Sequence, residues 1–183
     1  MGKKWGAWFF SFSYLSYIRA AIRLCVYDEN YELSEIMNKL NRVIHADDLL
    51  SDIFSTLSMV LLDDEKGKVV YAGAGDLPLL KYDQQKSELQ SFQSTGILLG
   101  FAETGVFDQM EVSLDKGEEL YMVSDGMIDF EIDGRKKSDI NLLKERLYNL
   151  KKRGETAESI KDDLFNKHVS QIDDCSIIIL ERI

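Results

Sequence analysis

Glu118-Glu-Leu-Tyr-Met-Val-Ser-Asp-Gly126 is the stretch on which the reading of this chain turns. It follows an Asp115-Lys-Gly117 turn and is apolar enough from Leu120 to Val123 to predict a central strand. Asp125 closes it, and Gly126 lets backbone and ligand approach closely. A second strand, Cys175 to Leu180, is nearly continuous in β-branched and apolar residues, which predicts burial on both faces. Asp173 and Asp174 open it. If the two strands lie adjacent and antiparallel, the end of one meets the start of the other and their carboxylates converge at one sheet edge. Clustered carboxylates with no basic partner repel one another, and a hard divalent cation relieves that repulsion. Oxygen-only ligation suits Mg²⁺, Mn²⁺ or Ca²⁺ rather than zinc or copper. On spacing alone a blander reading stays open, because Ser-Asp-Gly after a strand is also a common turn and Asp-Asp a common solvated loop.

Outward from these strands the chain alternates clearly. Ala7 to Ile18 is an apolar run behind Met1-Gly-Lys-Lys, and it imitates a signal peptide. No small-residue cleavage site follows, however, and the run falls short of the ~20 residues needed to span a bilayer. It reads as a buried helix continuing to about Cys25. From a cap at Asn30, with Glu32 in the first turn, Leu33, Ile36, Met37, Leu40, Val43 and Ile44 recur at helical spacing. Phe54 to Leu62, Lys68 to Ala72, Leu77 to Tyr82, Glu88 to Phe92 and Val106 to Val112 read as strands, the first two joined by a hairpin ending at Gly67. Two further helices are marked by Ile140, Leu143, Leu147 and Leu150 after a Ser138 cap, and by Ala157, Ile160 and Leu164 after Thr156. The order of elements predicts one α+β domain spanning residues 1–183.

Composition excludes several functions. With 22 Lys+Arg against 32 Asp+Glu, the net charge of −10 makes nucleic acid a poor partner. The basic segment from Arg135 to Arg153 is interleaved with acids and reads as a solvated helix face. Two cysteines without metal-type spacing argue against a zinc site and fit a reducing cytoplasm. Cys175 reads as a packing residue. His45 and His168 are the only histidines and sit apart, which disfavours a histidine cage or triad.

Six segments, in order, resemble the metal-dependent PPM-type (protein phosphatase 2C-like) serine/threonine phosphatases of the bacterial SpoIIE/RsbU-like branch. They are Leu33 to Arg42 with its Leu40-Asn41, Phe54-Ser-Thr56 through Asp63, Val70-Tyr-Ala-Gly-Ala-Gly-Asp-Leu-Pro78, Leu99-Gly100, Leu114 to Met127 with Ser-Asp-Gly, and Asp173-Asp-Cys-Ser-Ile-Ile178. The resemblance implies a two-sheet antiparallel β-sandwich flanked by helices. It implies two Mn²⁺ or Mg²⁺ ions, and a metal-activated water that hydrolyses phosphoserine or phosphothreonine without a covalent enzyme intermediate. By the same resemblance Asp125 and Asp173 are metal ligands, with Gly126 and Asp174 as site neighbours. The implied substrate is a phosphoprotein of anti-sigma-factor-antagonist type, and the implied setting is cytoplasmic signalling under an N-terminal sensor module.

The chain also departs from the family pattern. Asp76 stands where a histidine is usual. Met1-Gly2-Lys3-Lys4 resembles the tail of a motif Asp-x-x-Gly-His/Lys-Gly, making Gly2 and Lys3 site neighbours while the ligand Asp falls ahead of Met1. The expectation is therefore a phosphatase domain incomplete at its N-terminus, lacking its first strands and weak or inactive as it stands. An upstream true start is the favoured explanation, ahead of a fragment of a larger sensor-phosphatase. The remaining alternative is a catalytically inert pseudophosphatase that binds a partner through the Trp5–Ile18 helix.

Overall fold

The computed structural model describes residues 3–27, 32–48, 50, 53–75, 77–132, 135–166 and 173–183. The elements are α1 (Lys3–Val26), α2 (Leu33–Ala46), β1 (Leu57–Asp63), β2 (Lys68–Ala74), β3 (Leu79–Asp83), β4 (Glu88–Phe92), β5 (Gln109–Ser113), β6 (Glu119–Val123), β7 (Asp129–Ile132), β8 (Arg135–Ser138), α3 (Ile140–Lys152), α4 (Ala157–Asn166) and β9 (Ile177–Glu181). They form two compact units: Met1–Leu61, Val70–Asp76 and Ser94–Met110 in one, and Leu62–Val69, Leu77–Gln93 and Glu111–Ile183 in the other. Strands β1, β2 and β5 form a three-stranded sheet in the order β1-β2-β5. No described helix is long and apolar enough to cross a membrane.

In the first unit the helical spacing of α2 does what it predicts. Leu33, Ile36, Met37, Leu40 and Ile44 are buried with Tyr14 and Ile18 of α1 and with Ala72, Ala74, Leu99 and Phe107. Val43 is 43% exposed, off this stripe. The N-cap is Glu32 rather than a residue of the first turn, and the proposed cap Asn30 lies outside the described residues. Asn41, buried beside Leu40, donates to the Ala102 carbonyl at 2.9 Å and accepts from the Gly100 amide at 3.0 Å. A side chain at Gly100 (φ +81°) would strike Ile44 and the Ile53 carbonyl, so the Leu40-Asn41 and Leu99-Gly100 segments are two halves of one clamp.

In the second unit the sheet order is β4-β3-β6-β9, antiparallel throughout. The predicted central strand is β6, between β3 and β9, with Leu120 and Tyr121 fully buried. Its first residues are acidic and buried as well. Glu119 accepts from Lys151 Nζ at 2.6 Å and from the Tyr121 hydroxyl, while Glu118 pairs with buried Lys81 at 2.8 Å. Burial and the neighbouring Glu119 carboxylate raise the Tyr121 pKa, which keeps that hydroxyl a donor. Helices α3 and α4 supply Leu143, Leu147, Leu150, Ile160 and Leu164 to the core under this sheet.

Three expectations are corrected. β9 is the end strand of its sheet among the described residues, so Ile178 is 54% exposed rather than buried. Ser138 does not cap α3, because its hydroxyl is committed to Asp129; Asp139 caps instead, accepting from the Asn141 amide at 2.8 Å. Residues Arg135 to Ser138 are not helical but form β8, the return strand of a hairpin with β7.

The Glu119–Lys151 pair makes a direct prediction. Lys151→Met leaves a buried carboxylate without its cation and should destabilise the protein by about 3 kcal/mol, read as a lower urea midpoint at unchanged slope.

Candidate metal centre

Pairing of β6 with β9 runs from Glu119 opposite Glu181 to Val123 opposite Ile177. It therefore brings the end of β6 to the beginning of β9. Ser124 fastens this corner: its amide donates to the Ser176 carbonyl (3.0 Å), its hydroxyl to the Asp174 carbonyl (3.2 Å), and it accepts from the Ser176 amide (2.8 Å). Beyond Ser124 the chain turns in a single 3₁₀ turn, Asp125–Met127, closed by the Met127 amide on Ser124 O and the Ile128 amide on Asp125 O. Met127 and Ile128 are buried in the core, which anchors the turn. Gly126 meets the facing backbone so closely that a Cβ there would lie 2.4 Å from the Asp174 carbonyl oxygen. The glycine is required by this approach, as its place after Asp125 implies. Cys175 packs at the edge of the core, its thiol donating to the Gly126 carbonyl at 3.0 Å.

The carboxylates of Asp125 and Asp173 converge, and a third joins them. One oxygen each from Asp125, Asp129 and Asp173 lies within 4.8 Å of the other two. Asp125 and Asp173 are exposed; Asp129, the first residue of β7, is 2% exposed. Ser138, opposite Asp129 in the hairpin register, donates to Asp129 Oδ1 at 2.5 Å. Lys136 Nζ sits 2.6 Å from Asp129 Oδ2 and 3.8 Å from Asp173 Oδ2. The first contact is an ion pair at hydrogen-bonding distance, so the Lys136 ammonium partners the buried Oδ2. Burial pushes the Asp129 carboxyl up, but the Lys136 ammonium and the Ser138 hydroxyl outweigh it and hold it below the usual carboxylate range. The Lys136 ammonium is held above its usual value by Asp129, against partial desolvation, and by the charges of Asp173 and Asp125.

This donor set fits a hard divalent ion: carboxylate oxygens only, two of them exposed at an edge open to solvent and one buried beside them. Asp174 is exposed and contributes its backbone to the corner, its amide donating to Asp173 Oδ1 at 2.9 Å. Of the other expected neighbours, Gly2 lies outside the described residues, and Lys3 begins α1 with its side chain undescribed. Asp76 and His168 likewise lie outside them.

The sequence matches the family of Stage II sporulation protein E (SpoIIE) over residues 2–183. The chain belongs to the SpoIIE family. It is 25% identical over 152 residues to phosphoserine phosphatase RsbU of Bacillus subtilis (strain 168), a match covering 81% of this chain and 45% of that protein. It superposes on the RsbU and RsbW domains of Rv1364c from Mycobacterium tuberculosis with a TM-score of 0.69 at 17% identity, over 93% of this chain and 47% of that one. RsbX in complex with magnesium gives 0.60 at 17% identity, over 88% of this chain and 70% of that one. The chain thus spans about half the length of RsbU, its curated relative. Its architecture, antiparallel sheets flanked by helices, is phosphatase 2C-like, as the six segments imply.

Asp129 and Lys136 were not among the expected site residues of this SpoIIE-family chain. A signal for them exists in the sequence: Asp133-Gly134, a dipeptide of hairpin type, separates Asp129–Ile132 from the basic Arg135–Ser138, and the two segments pair antiparallel.

Gly126→Ala should cost about 2 kcal/mol through overpacking against backbone that cannot yield. It should also unprotect the Ser176 amide in hydrogen exchange, since the corner held by Ser124 must open.

Proposed function

We propose that this chain is the catalytic domain of a metal-dependent phosphoprotein phosphatase in bacterial signalling, with Asp125, Asp129 and Asp173 holding Mn²⁺ or Mg²⁺. The observation that carries the reading is the convergence of three carboxylates at the β6–β9 corner of a SpoIIE-family domain. The chemistry such ions supply is a lowered pKa for water and charge stabilisation on phosphoryl oxygens. Asp125 and Asp173 flank the same end of the β6–β9 pairing, the one closed by Val123 opposite Ile177, so the backbone register brings them to one corner. Asp129 is oriented by Ser138, whose hydroxyl donates to its Oδ1. Gly126 lets the turn after β6 approach the Asp173–Asp174 backbone, which holds the corner closed beneath the exposed carboxylates. Gly126, Asp174, Gly2 and Lys3 are proposed as neighbours that shape the site.

Three carboxylates provide for one ion of the family's paired site. The substrate proposed is a phosphoserine or phosphothreonine protein, of the anti-sigma-antagonist class by kinship with RsbU, and the setting is the cytoplasm. The reading of the chain as a single domain under an N-terminal sensor belongs to the same proposal.

A second reading has one observation in its favour. Lys136 already neutralises part of the cluster, as a catalytically inert domain serving only as a partner-binding module would permit. The assay that separates the two uses the whole product of the gene. It should hydrolyse p-nitrophenyl phosphate with Mn²⁺ or Mg²⁺ and stop in excess EDTA, and Asp125→Asn should lower the rate at least 100-fold. Activity that persists in EDTA contradicts the metal-dependent reading; no metal-dependent activity supports the inert module.

A further inference from the structure

We propose that Lys136 is a tethered counter-ion that competes with the divalent ion, so that metal entry requires its ammonium to withdraw from Asp129 and Asp173. The inference rests on the cation-site reading above and goes beyond it by naming the side chain that competes with the ion for the cluster. Among the described residues Lys136 is the cation in ion-pair contact with the cluster: 2.6 Å from Asp129, 3.8 Å from Asp173, and within electrostatic reach of Asp125. One ammonium against three carboxylates leaves a net deficit of positive charge, so a divalent ion is still attracted. It cannot share Asp129 Oδ2 with an ammonium already at contact distance.

The geometry of the hairpin allows the exchange. Lys136 lies in register opposite Glu131, not opposite Asp129, and reaches the latter diagonally. Its side chain is 49% exposed, on a flexible four-carbon stem. Glu131 is exposed and directly across the ladder, ready to receive the ammonium when it leaves. Ser138 stays on Asp129 Oδ1 in either arrangement, so the buried carboxylate keeps one donor throughout. Lys136 thereby offsets the mutual repulsion of the three carboxylates, at a cost in metal affinity.

The test is Mn²⁺ binding, followed by the electron paramagnetic resonance signal of the free ion, on the whole protein. Lys136→Gln retains a donor for Asp129 but no charge and should bind Mn²⁺ about tenfold more tightly, as expected for losing one ion-pair competitor to a buried acid. Lys136→Arg should gain nothing. Lys137→Gln makes the same charge change on the other face of β8 and should shift affinity less than twofold. In wild-type protein, saturating Mg²⁺ should move the Lys136 side-chain methylene resonances in nuclear magnetic resonance. Mn²⁺ binding to wild type that Lys136→Gln does not tighten, or Mg²⁺ binding with Lys136 unmoved, overturns the competition while leaving the cation site standing. No Mn²⁺ binding by any form, or binding unchanged by Asp125→Asn, overturns both.

Discussion

Negative charge held at close quarters is the constraint around which the second unit is built. Three carboxylates within 4.8 Å repel one another, and they stay together because the backbone brings them to one corner and Ser138 and Lys136 hold Asp129 there. The β6–β9 ladder delivers Asp125 and Asp173 to one corner, and Ser124 ties that corner with three hydrogen bonds. Gly126 permits the close approach, and the buried Met127 and Ile128 lock the turn. Each feature is ordinary alone. Together they hold like charges at a spacing that flexible loops would relax.

Cations are then distributed with some economy. Inside the sheet, Lys151 and Lys81 neutralise the buried carboxylates Glu119 and Glu118, and these pairs are protected from water. At the corner the only contacting ammonium, among the described residues, is borne by an exposed, mobile-stemmed lysine on a two-stranded hairpin. Buried pairs of the first kind are structural, since removing one partner strands a charge. In the second kind the acid is buried but the lysine is half-exposed on a flexible stem, so the ammonium is the partner able to leave. That difference is what marks the corner as the place for an incoming ion.

Much of this was legible in the chain. Strand β6 and its terminal Asp125-Gly126, the acidic start of β9 and the stripe of α2 follow from periodicity and turn residues. The match of six ordered segments carries the fold further than any of them alone. What the sequence hid has physical reasons. Hydrophobic continuity in Cys175–Leu180 does not distinguish a central strand from an end strand whose one face is open, so Ile178 was misjudged. Charged residues from Arg135 to Lys137 lack apolar alternation, so β8 was read as helix surface although its side chains are exposed on a ladder. Asp129 was missed because its role depends on that hairpin: its neighbours in sequence are strand and turn, and its partners, Ser138 and Lys136, lie across the ladder.

The most direct check of the account is the position of a bound ion. Anomalous diffraction from crystals soaked in Mn²⁺ should show a peak in contact with Asp125, Asp129 and Asp173, with the Lys136 ammonium turned away from Asp129. A peak elsewhere, or none at the corner of β6 and β9 at saturating Mn²⁺, would contradict it.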